Sequence, residues 1–553
     1  CLHDEFSIHQ KIGEGGQGSV YLCKTRKRAS SWFGSSSGPK DVVLKMFDKS
    51  NPSAPVEEIT REFELLMEVK HPLVAHVFQI FQDAANIYVV QEPYLGGDLT
   101  TAVQSAADAG VRVTECWLAR IVKQVLTGVA FLHSCTVMHC DLKEPNVMIA
   151  GKSDWAAPQI VVIDFGLANK FATRSRPGGS PGYMPPEVWE SGLWTPRGDV
   201  FSIGVLMFSM RTGQHPFTEG CNTVEEVKER TQNYLPQIDE ASTEFKNLVT
   251  WMIEKDFKFR PNVSQALEDE WFLKTESNSQ QLDAKVLASL AKRREKTDLK
   301  KALLADLASR ENLAQMKELN ELFLQLDVNK DGFVSANDLH QALDGKWTPQ
   351  QIAALEEGLL GGKEGQASYE EFMGQLIAIR EPYENELLYR IFTEMDTLRK
   401  GYLDQNDIKA LLERPAVAKL LGNRDPTTLM KQMCRSGTDR ISFDDFKLVV
   451  QGHSEYSNGF GIGNLRRRFR FGPLMYSWQI DEIAEYYSVV HRNWLTCRIT
   501  ELDGDSGAVR IDIKPGYWLH GIELWTRLRR PPDGRYWWFW QFLSCTSRTC
   551  GRG

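Results

Sequence analysis

The sequence predicts three kinds of unit in one chain: a two-lobed α+β unit, an all-α unit of helix–loop–helix segments, and a small all-β unit. Three observations carry this. Strand-like segments and turn glycines crowd residues 6 to 48, and helical patterns dominate from there to 272. From 282 leucines recur at helical spacing, and acidic loops with a central glycine begin at Asp327. Beyond 479 short alternating segments return, separated by turns. With 553 residues the chain is long enough for three or four domains. Hydrophobic residues at 42% and charged residues at 25% supply several ordinary cores. A net charge of −8 argues against nucleic acid as the main partner.

Ten scattered cysteines without a Cys-x-x-Cys pair read as reduced thiols in a cytoplasmic compartment. No apolar run approaches a transmembrane segment. The chain starts at Cys1, so it is expected to be a fragment or a processed form, with any acylation signal for membrane attachment lying upstream.

Residues 139 to 166 organise the first unit. His139-Cys140-Asp141-Leu142-Lys143-Glu144-Pro145-Asn146 is followed by Asp164-Phe165-Gly166. Phosphoryl transfer needs one carboxylate to orient a hydroxyl and take its proton, and a second carboxylate with an amide oxygen to hold magnesium. Asp141 suits the first role; Asn146 and Asp164 suit the second. Val161-Val162-Ile163 reads as a buried strand delivering Asp164. A surface loop that happens to hold acids would not be expected to repeat this order around a strand.

Upstream, Phe6 to Ile12 reads as a strand, and Gly13-Glu-Gly15-Gly-Gln-Gly18-Ser-Val20 fits G-x-G-x-x-G-x-V. Dinucleotide folds carry similar glycines, but there they open a helix. Here Ser19 to Lys24 continues as a second strand, so the loop is a hairpin lid over phosphates, and Ile12, Gly13, Gly15, Gly18 and Val20 are expected against ATP. Residues 29 to 40 read as an enlarged hairpin loop. Lys45, on the next strand, is placed to grip the α- and β-phosphates; alone it would read as a surface lysine. Glu57 to Lys70 is helical, with Ile59, Phe63 and Leu66 on one face and Glu62 as the partner of Lys45, against a solvated glutamate as the alternative. Gln91 enters the hinge as gatekeeper. Asp98 either caps the next helix or touches ribose or a basic substrate residue. Glu187 and Arg260 form an expected buried ion pair.

These motifs together resemble a serine/threonine protein kinase over residues 6 to 272. The resemblance implies ATP and Mg2+, protein substrates bearing serine or threonine, and catalytic roles for Asp141 and Lys143. Lys143 after the aspartate and Ser180 before Pro-Gly-Tyr resemble the serine/threonine branch. Three departures stand out. Cys140 replaces the arginine that reads an activation-loop phosphate, Glu144-Pro145 exchanges two residues, and Pro185 replaces an alanine.

Residues 282 to 326 are expected as continuous amphipathic helix, with Lys292-Arg-Arg-Glu-Lys296 in its course. That stretch reads either as a solvated spacer or as a basic segment occupying the substrate groove. Asp327-Val-Asn329-Lys-Asp331-Gly-Phe333-Val-Ser335-Ala-Asn-Asp338 fits a calcium loop, with oxygens from Asp327, Asn329, Asp331 and Asp338, the carbonyl of Phe333, and Ser335. Aspartate at the last position has a shorter arm than the usual glutamate, which is expected to weaken Ca2+ or shift preference toward Mg2+. Loops at 360–371, 396–407 and 434–445 lack ligands and read as structural, pairing through residues such as Leu403 and Ile441.

Kinase, junction and four hands in this order resemble a calcium-dependent protein kinase of the plant and protist type. The expected fold class is an α+β bilobal protein kinase (6–272), an autoinhibitory junction helix (273–313), an all-α EF-hand domain (314–452), a linker (453–478), a small all-β SH3-like or Tudor-like barrel (479–530) with an unknown ligand, and an uninterpreted aromatic tail (531–553). In the barrel, Tyr487 and Trp494 read as core or as groove lining. The expected activity is calcium-regulated phosphoryl transfer. The rivals are a calcium-independent kinase with structural hands and a pseudokinase scaffold.

Overall fold

The computed structural model describes residues 5–15, 18–26, 40–50, 56–152, 155–165, 168–170, 178–275, 284–292, 297–361, 365–380, 384–398, 400–422, 424–434, 439–451, 483–488, 493–502, 509–512 and 528–529. The expectations placed on the 29–40 loop (apart from Lys40), on the 453–478 linker and on the aromatic tail fall outside these residues, as do the side chains of Glu62, Lys292, Tyr487 and Trp494. The chain divides into two units, Cys1–Glu455 and Tyr456–Gly553.

The first unit opens with β1 (Phe6–Gly15), β2 (Gly18–Thr25), β3 (Asp41–Asp48), β4 (Val77–Gln82) and β5 (Asn86–Gln91). They form one antiparallel sheet in the order β1-β2-β3-β5-β4. Gly15 pairs with Gly18, which closes the expected hairpin lid. A Cβ on Gly18 would stand 2.2 Å from the Met46 carbonyl oxygen, so only glycine lets β2 lie this close to β3. Register then places Lys45 between Val20 and Val89.

Helix α1 (Val56–Glu68) covers the sheet with its apolar stripe: Ile59, Phe63 and Leu66 are buried, and the Phe63 ring lies 5.6 Å from that of Phe47. The second lobe is helical. Its centre is α2 (Glu115–Ser134) and α3 (Pro196–Thr212), which join one core with the strands at 147–149 and 160–162. Apolar on nearly every side, α3 is buried from Gly198 to Phe208, and Gly213 ends it at φ 73°.

The stretch from 282 to 326 is not one helix. It divides into α4 (Ala284–Lys292), α5 (Asp298–Ala308) and α6 (Lys317–Leu326), with a short 3-10 turn at Leu313–Gln315. Leucine periodicity carries no information about these breaks, and local hydrogen bonds supply them. Thr297 caps α5 by accepting from the Lys300 amide, and the chain turns at 309–312 to meet the first lobe. Leu287, Leu290, Leu299, Leu303 and Leu307 enter a core shared with the helices that follow, so this apolar face is spent inside the helical part.

Among the described residues, four helix–loop–helix segments complete the first unit. Phe333–Ser335 pairs antiparallel with Gln366–Ser368, joining the first two, and a single bridge between Leu403 and Ile441 joins the last two. The connector after α5 sits on the first lobe. Ser309 O meets His76 Nε2 at 2.7 Å, Arg310 O accepts from Lys40 Nζ at 2.7 Å, and the Ala314 amide donates to Glu92 Oε1 at 2.8 Å. Burial pushes the Glu92 carboxyl up to about 8, against the Ala314 amide and the charge of Lys40. No helix among the described residues is long and apolar enough to cross a membrane.

In the second unit, Ile483–Ser488, Asn493–Leu502, Val509–Ile511 and Leu528–Arg529 form one antiparallel sheet. Among its described residues, Ala484, Cys497, Ile499 and Ile511 are buried.

Candidate active site

The turn at 139–146 is held from beneath by α3. Asp199 is fully buried, and its carboxylate accepts from the His139 amide at 3.0 Å, the Cys140 amide at 2.9 Å and the His133 ring at 2.8 Å. These bonds fix Cys140 at φ 65°, a conformation that a non-glycine residue adopts only when its surroundings enforce it. His139 Nε2 lies 3.0 Å from Ile163 O, and the Ile163 amide donates to Asn146 O at 2.9 Å. The turn and the strand ending at Val162 are therefore tied on both sides. Asp164 follows at φ 64°, and Phe165 anchors it by packing against His139 at 4.9 Å. Gly166 lies outside the described residues.

Asp141 is the most densely bonded group here. Its Oδ1 accepts from the Ser180 amide at 2.9 Å and the Ser180 hydroxyl at 2.8 Å. Its Oδ2 accepts from Lys143 Nζ at 2.8 Å and Asn146 Nδ2 at 3.1 Å. Lys143 Nζ also donates to Ser180 Oγ at 2.6 Å. A carboxylate aimed by four donors keeps its orientation without reorganising, which is what a hydroxyl-orienting base requires. Asn146 spends its amide nitrogen on Asp141, so its oxygen remains for a cation. Asn146 and Asp164 thus suit a magnesium ion by donor chemistry.

The other expected site residues fall as follows. Gly13, Gly15, Gly18 and Val20 lie along the hairpin, with Ile12 exposed beside them. Lys45 stands in the middle strand, and Glu62 falls within α1. Gln91 is buried at the end of β5. Asp98 caps the helix Leu99–Asp108 by accepting from the Thr100 amide at 3.0 Å, which is the capping alternative of the two. Glu187 and Arg260 form a two-pronged buried pair at 2.8 and 3.1 Å. Glu144 is buried against the Tyr183 hydroxyl, so it is turned away from solvent.

Sequence reasoning passed over Asp199 as a holder of the turn, and Ser180 as a partner of Asp141. An acidic residue inside an otherwise apolar helix was the available signal for the first. Ser180 gave none, since its partner is 39 residues away.

In the Asp327 loop, Gly332 takes φ 83°. Asp327 accepts from the Asp331 amide at 3.2 Å and the Gly332 amide at 3.0 Å, and Asp338 accepts from the Asn329 amide at 3.3 Å and the Ser335 amide at 3.0 Å. Asn329 Nδ2 donates to Asp331, whose other oxygen accepts from the Phe333 amide. Among the described residues no three His, Cys, Asp or Glu side chains converge as a metal site. Burial pushes the Asp327 carboxyl up to about 6. In the 396–407 loop the Lys400 ammonium bonds both Asp404 and Asp407.

A carboxylate aimed by four donors, an amide and an Asp-Phe sequence just past a tied strand, in a chain whose first lobe carries a glycine hairpin, fit a phosphotransferase of the protein kinase class. The family profile described as protein kinase domain matches residues 6–272. Three calcium-dependent protein kinases are similar along most of the chain. Number 7 of Arabidopsis thaliana is 25% identical over 472 residues, covering 82% of this chain and 84% of that protein. Number 22 of the same plant is 24% identical, covering 81% and 91%. Number 4 of Plasmodium berghei (strain Anka) is 26% identical, covering 81% and 86%. This chain is a protein serine/threonine kinase, and its kinase domain implies ATP and Mg2+.

Cys140 bears on regulation. It is 1% exposed and packs with Met138, Met184, Val188 and Trp194. Position 140 thus offers an apolar group and no guanidinium to a phosphate. Thr173→Ala and Ser175→Ala, in a segment outside the described residues, are expected to leave peptide phosphorylation within about twofold of wild type. A tenfold loss in either variant, with the melting temperature preserved, would contradict this.

Proposed function

We propose that this chain is a calcium-responsive serine/threonine kinase with a substantial basal rate. Lys45, held by Glu62, positions the α- and β-phosphates of ATP beneath Gly13, Gly15 and Gly18. Asn146 and Asp164 hold Mg2+, which neutralises charge on the phosphates. Asp141 orients the substrate hydroxyl and takes its proton, and Lys143 sits beside it where charge develops on the γ-phosphoryl group. The observation that supports this most strongly is the Asp141 carboxylate aimed by Ser180, Lys143 and Asn146.

The calcium half rests on the Asp327–Asp338 loop, its glycine at φ 83°, and the similarity to calcium-dependent protein kinases. In this reading the helix–loop–helix segments are EF-hands, and the first is the one that binds the ion. Lys400 supports the structural role of the third: its ammonium already lies between the two carboxylates that would otherwise ligate. The segment at 273–313 acts as the junction, and the basic residues at 292–296 act on the substrate groove. A ligand shifts such an equilibrium only by its differential affinity for the two states, so one short-armed site drives partial activation.

Calorimetric titration of calcium into wild type and Asp327→Ala tests this. One strong binding event is expected in wild type and none in the variant, with partial activation lost in parallel. Four binding events, or calcium activation unchanged in the variant, would refute it.

A further inference from the structure

The apolar cluster of Met138, Cys140, Met184 and Val188 holds two tryptophans, whose indole N–H groups are used differently. Trp194 lies in the loop between the short helix Pro186–Ser191 and α3. It is 4% exposed and donates from Nε1 to Gly178 O at 2.9 Å. Trp189, on the short helix, packs against the same cluster, but its Nε1 finds no acceptor among the described residues. An indole can therefore fill this cluster without a hydrogen bond, and the bond of Trp194 is a separate feature.

That bond falls where the chain has little freedom. Gly178 is followed by Gly179 at φ 140°, a conformation that residues with side chains rarely adopt. A Cβ on Gly179 would stand 2.7 Å from Met184 Cγ, 3.1 Å from Trp194 Cζ2 and 3.3 Å from Cys140 O. This residue therefore lies against both the indole and the turn at 139–146. Ser180 comes next, and its amide and hydroxyl are the groups that bond Asp141 Oδ1, at 2.9 and 2.8 Å. The carbonyl held by Trp194 is thus separated by one glycine from the residue that aims Asp141. The indole is itself fixed. A Cβ on Gly198 would stand 2.8 Å from Trp194 Cε3 and 3.3 Å from Pro185 Cγ, so α3 packs tightly against the ring.

We propose that Trp194 is a positioning residue for phosphoryl transfer. Its indole N–H holds Gly178, and through Gly179 it sets Ser180 where the serine aims Asp141 at the substrate hydroxyl. Cys140 offers this segment no guanidinium, and Trp194 supplies a neutral tie that needs no phosphate. Removing the indole N–H leaves the Gly178 carbonyl without this donor and frees the segment to shift. The inference rests on the reading of Asp141 as the group that orients the hydroxyl. Trp194 itself touches neither nucleotide nor substrate and acts through the segment alone.

The test is transfer from Mg·ATP to a generic basic peptide by the full chain, compared among wild type, Trp194→Phe and Trp189→Phe. Calorimetric affinity for Mg·ATP and the melting temperature are measured alongside. Both substitutions remove the same atoms from the same cluster, but only that at Trp194 removes a hydrogen bond. Trp194→Phe is expected to lower kcat about tenfold or more, while the Kd for Mg·ATP stays within about twofold of wild type. Trp189→Phe is expected to keep both within about twofold. A packing role alone predicts that the two variants lose activity and melting temperature alike, and that result would overturn the proposal. So would Trp194→Phe with kcat within about twofold of wild type. Gly179→Ala strains the backbone at φ 140° and crowds Met184 while leaving the indole intact, and it is expected to reproduce the loss of kcat. An unchanged kcat in Gly179→Ala would also overturn the proposal, so the question is decided even if Trp194→Phe fails to fold. No transfer by wild type would instead overturn the reading of Asp141 on which this proposal rests.

Discussion

Asp164→Asn is expected to lower kcat by about a thousandfold or more, on the order of 4 kcal/mol of barrier, while the melting temperature stays within about 2 °C of wild type. The residue sits at φ 64°, where asparagine is as well tolerated as aspartate, so the substitution removes charge without disturbing the turn. Ile163 and Phe165 keep their contacts with His139, so the strand still delivers the position. What is lost is the carboxylate proposed to hold the metal over the transferring group. Single-turnover kinetics would check this, and a variant with near-normal turnover removes Asp164 from the mechanism.

The second large effect is on stability. Arg260→Met is expected to cost about 3–5 kcal/mol, because it leaves the Glu187 carboxylate buried without its partner. Arg260 has no exposed side-chain surface, and besides Glu187 it donates to the carbonyls of Glu254 and Arg197, so three elements lose a shared tie. For a lobe of this size the melting temperature of the kinase domain falls by about 10 °C. Replacing both partners, as Glu187→Leu/Arg260→Met, should recover part of that loss, since the penalty comes from the unpaired charge. A single variant that melts within about 2 °C of wild type would show the pair to be immaterial.

The turn at 139–146 was readable as a candidate site because the chemistry proposed for it depends on residue types at short spacing. Asp141, Asn146 and Asp164 lie within 24 positions of one another, and each role needs a particular functional group. The sheet was legible for a similar reason: alternation and paired glycines mark β1 and β2 locally. The seam between kinase and helical part was not legible. Ser309 and Ala314 contribute backbone groups to it, and backbone groups leave no trace in residue identity. The break of the 282–326 stretch escaped for a related cause. A buried leucine stripe has the same period whether its helix is whole or divided, and the division depends on a threonine cap and on contacts over 200 residues distant. Lys400 is an intermediate case. Its identity excluded it as a ligand, but only the fold places its ammonium between Asp404 and Asp407.

The most direct test of the whole account is transfer of the γ-phosphoryl group from Mg·ATP to a serine in a generic basic peptide, measured in chelator and in calcium, for wild type and Asp141→Asn. The account predicts transfer by wild type in chelator, a partial further increase with calcium, and a rate at least about a hundredfold lower for Asp141→Asn in both conditions. No transfer by wild type in either condition, or equal rates for wild type and Asp141→Asn, would contradict it.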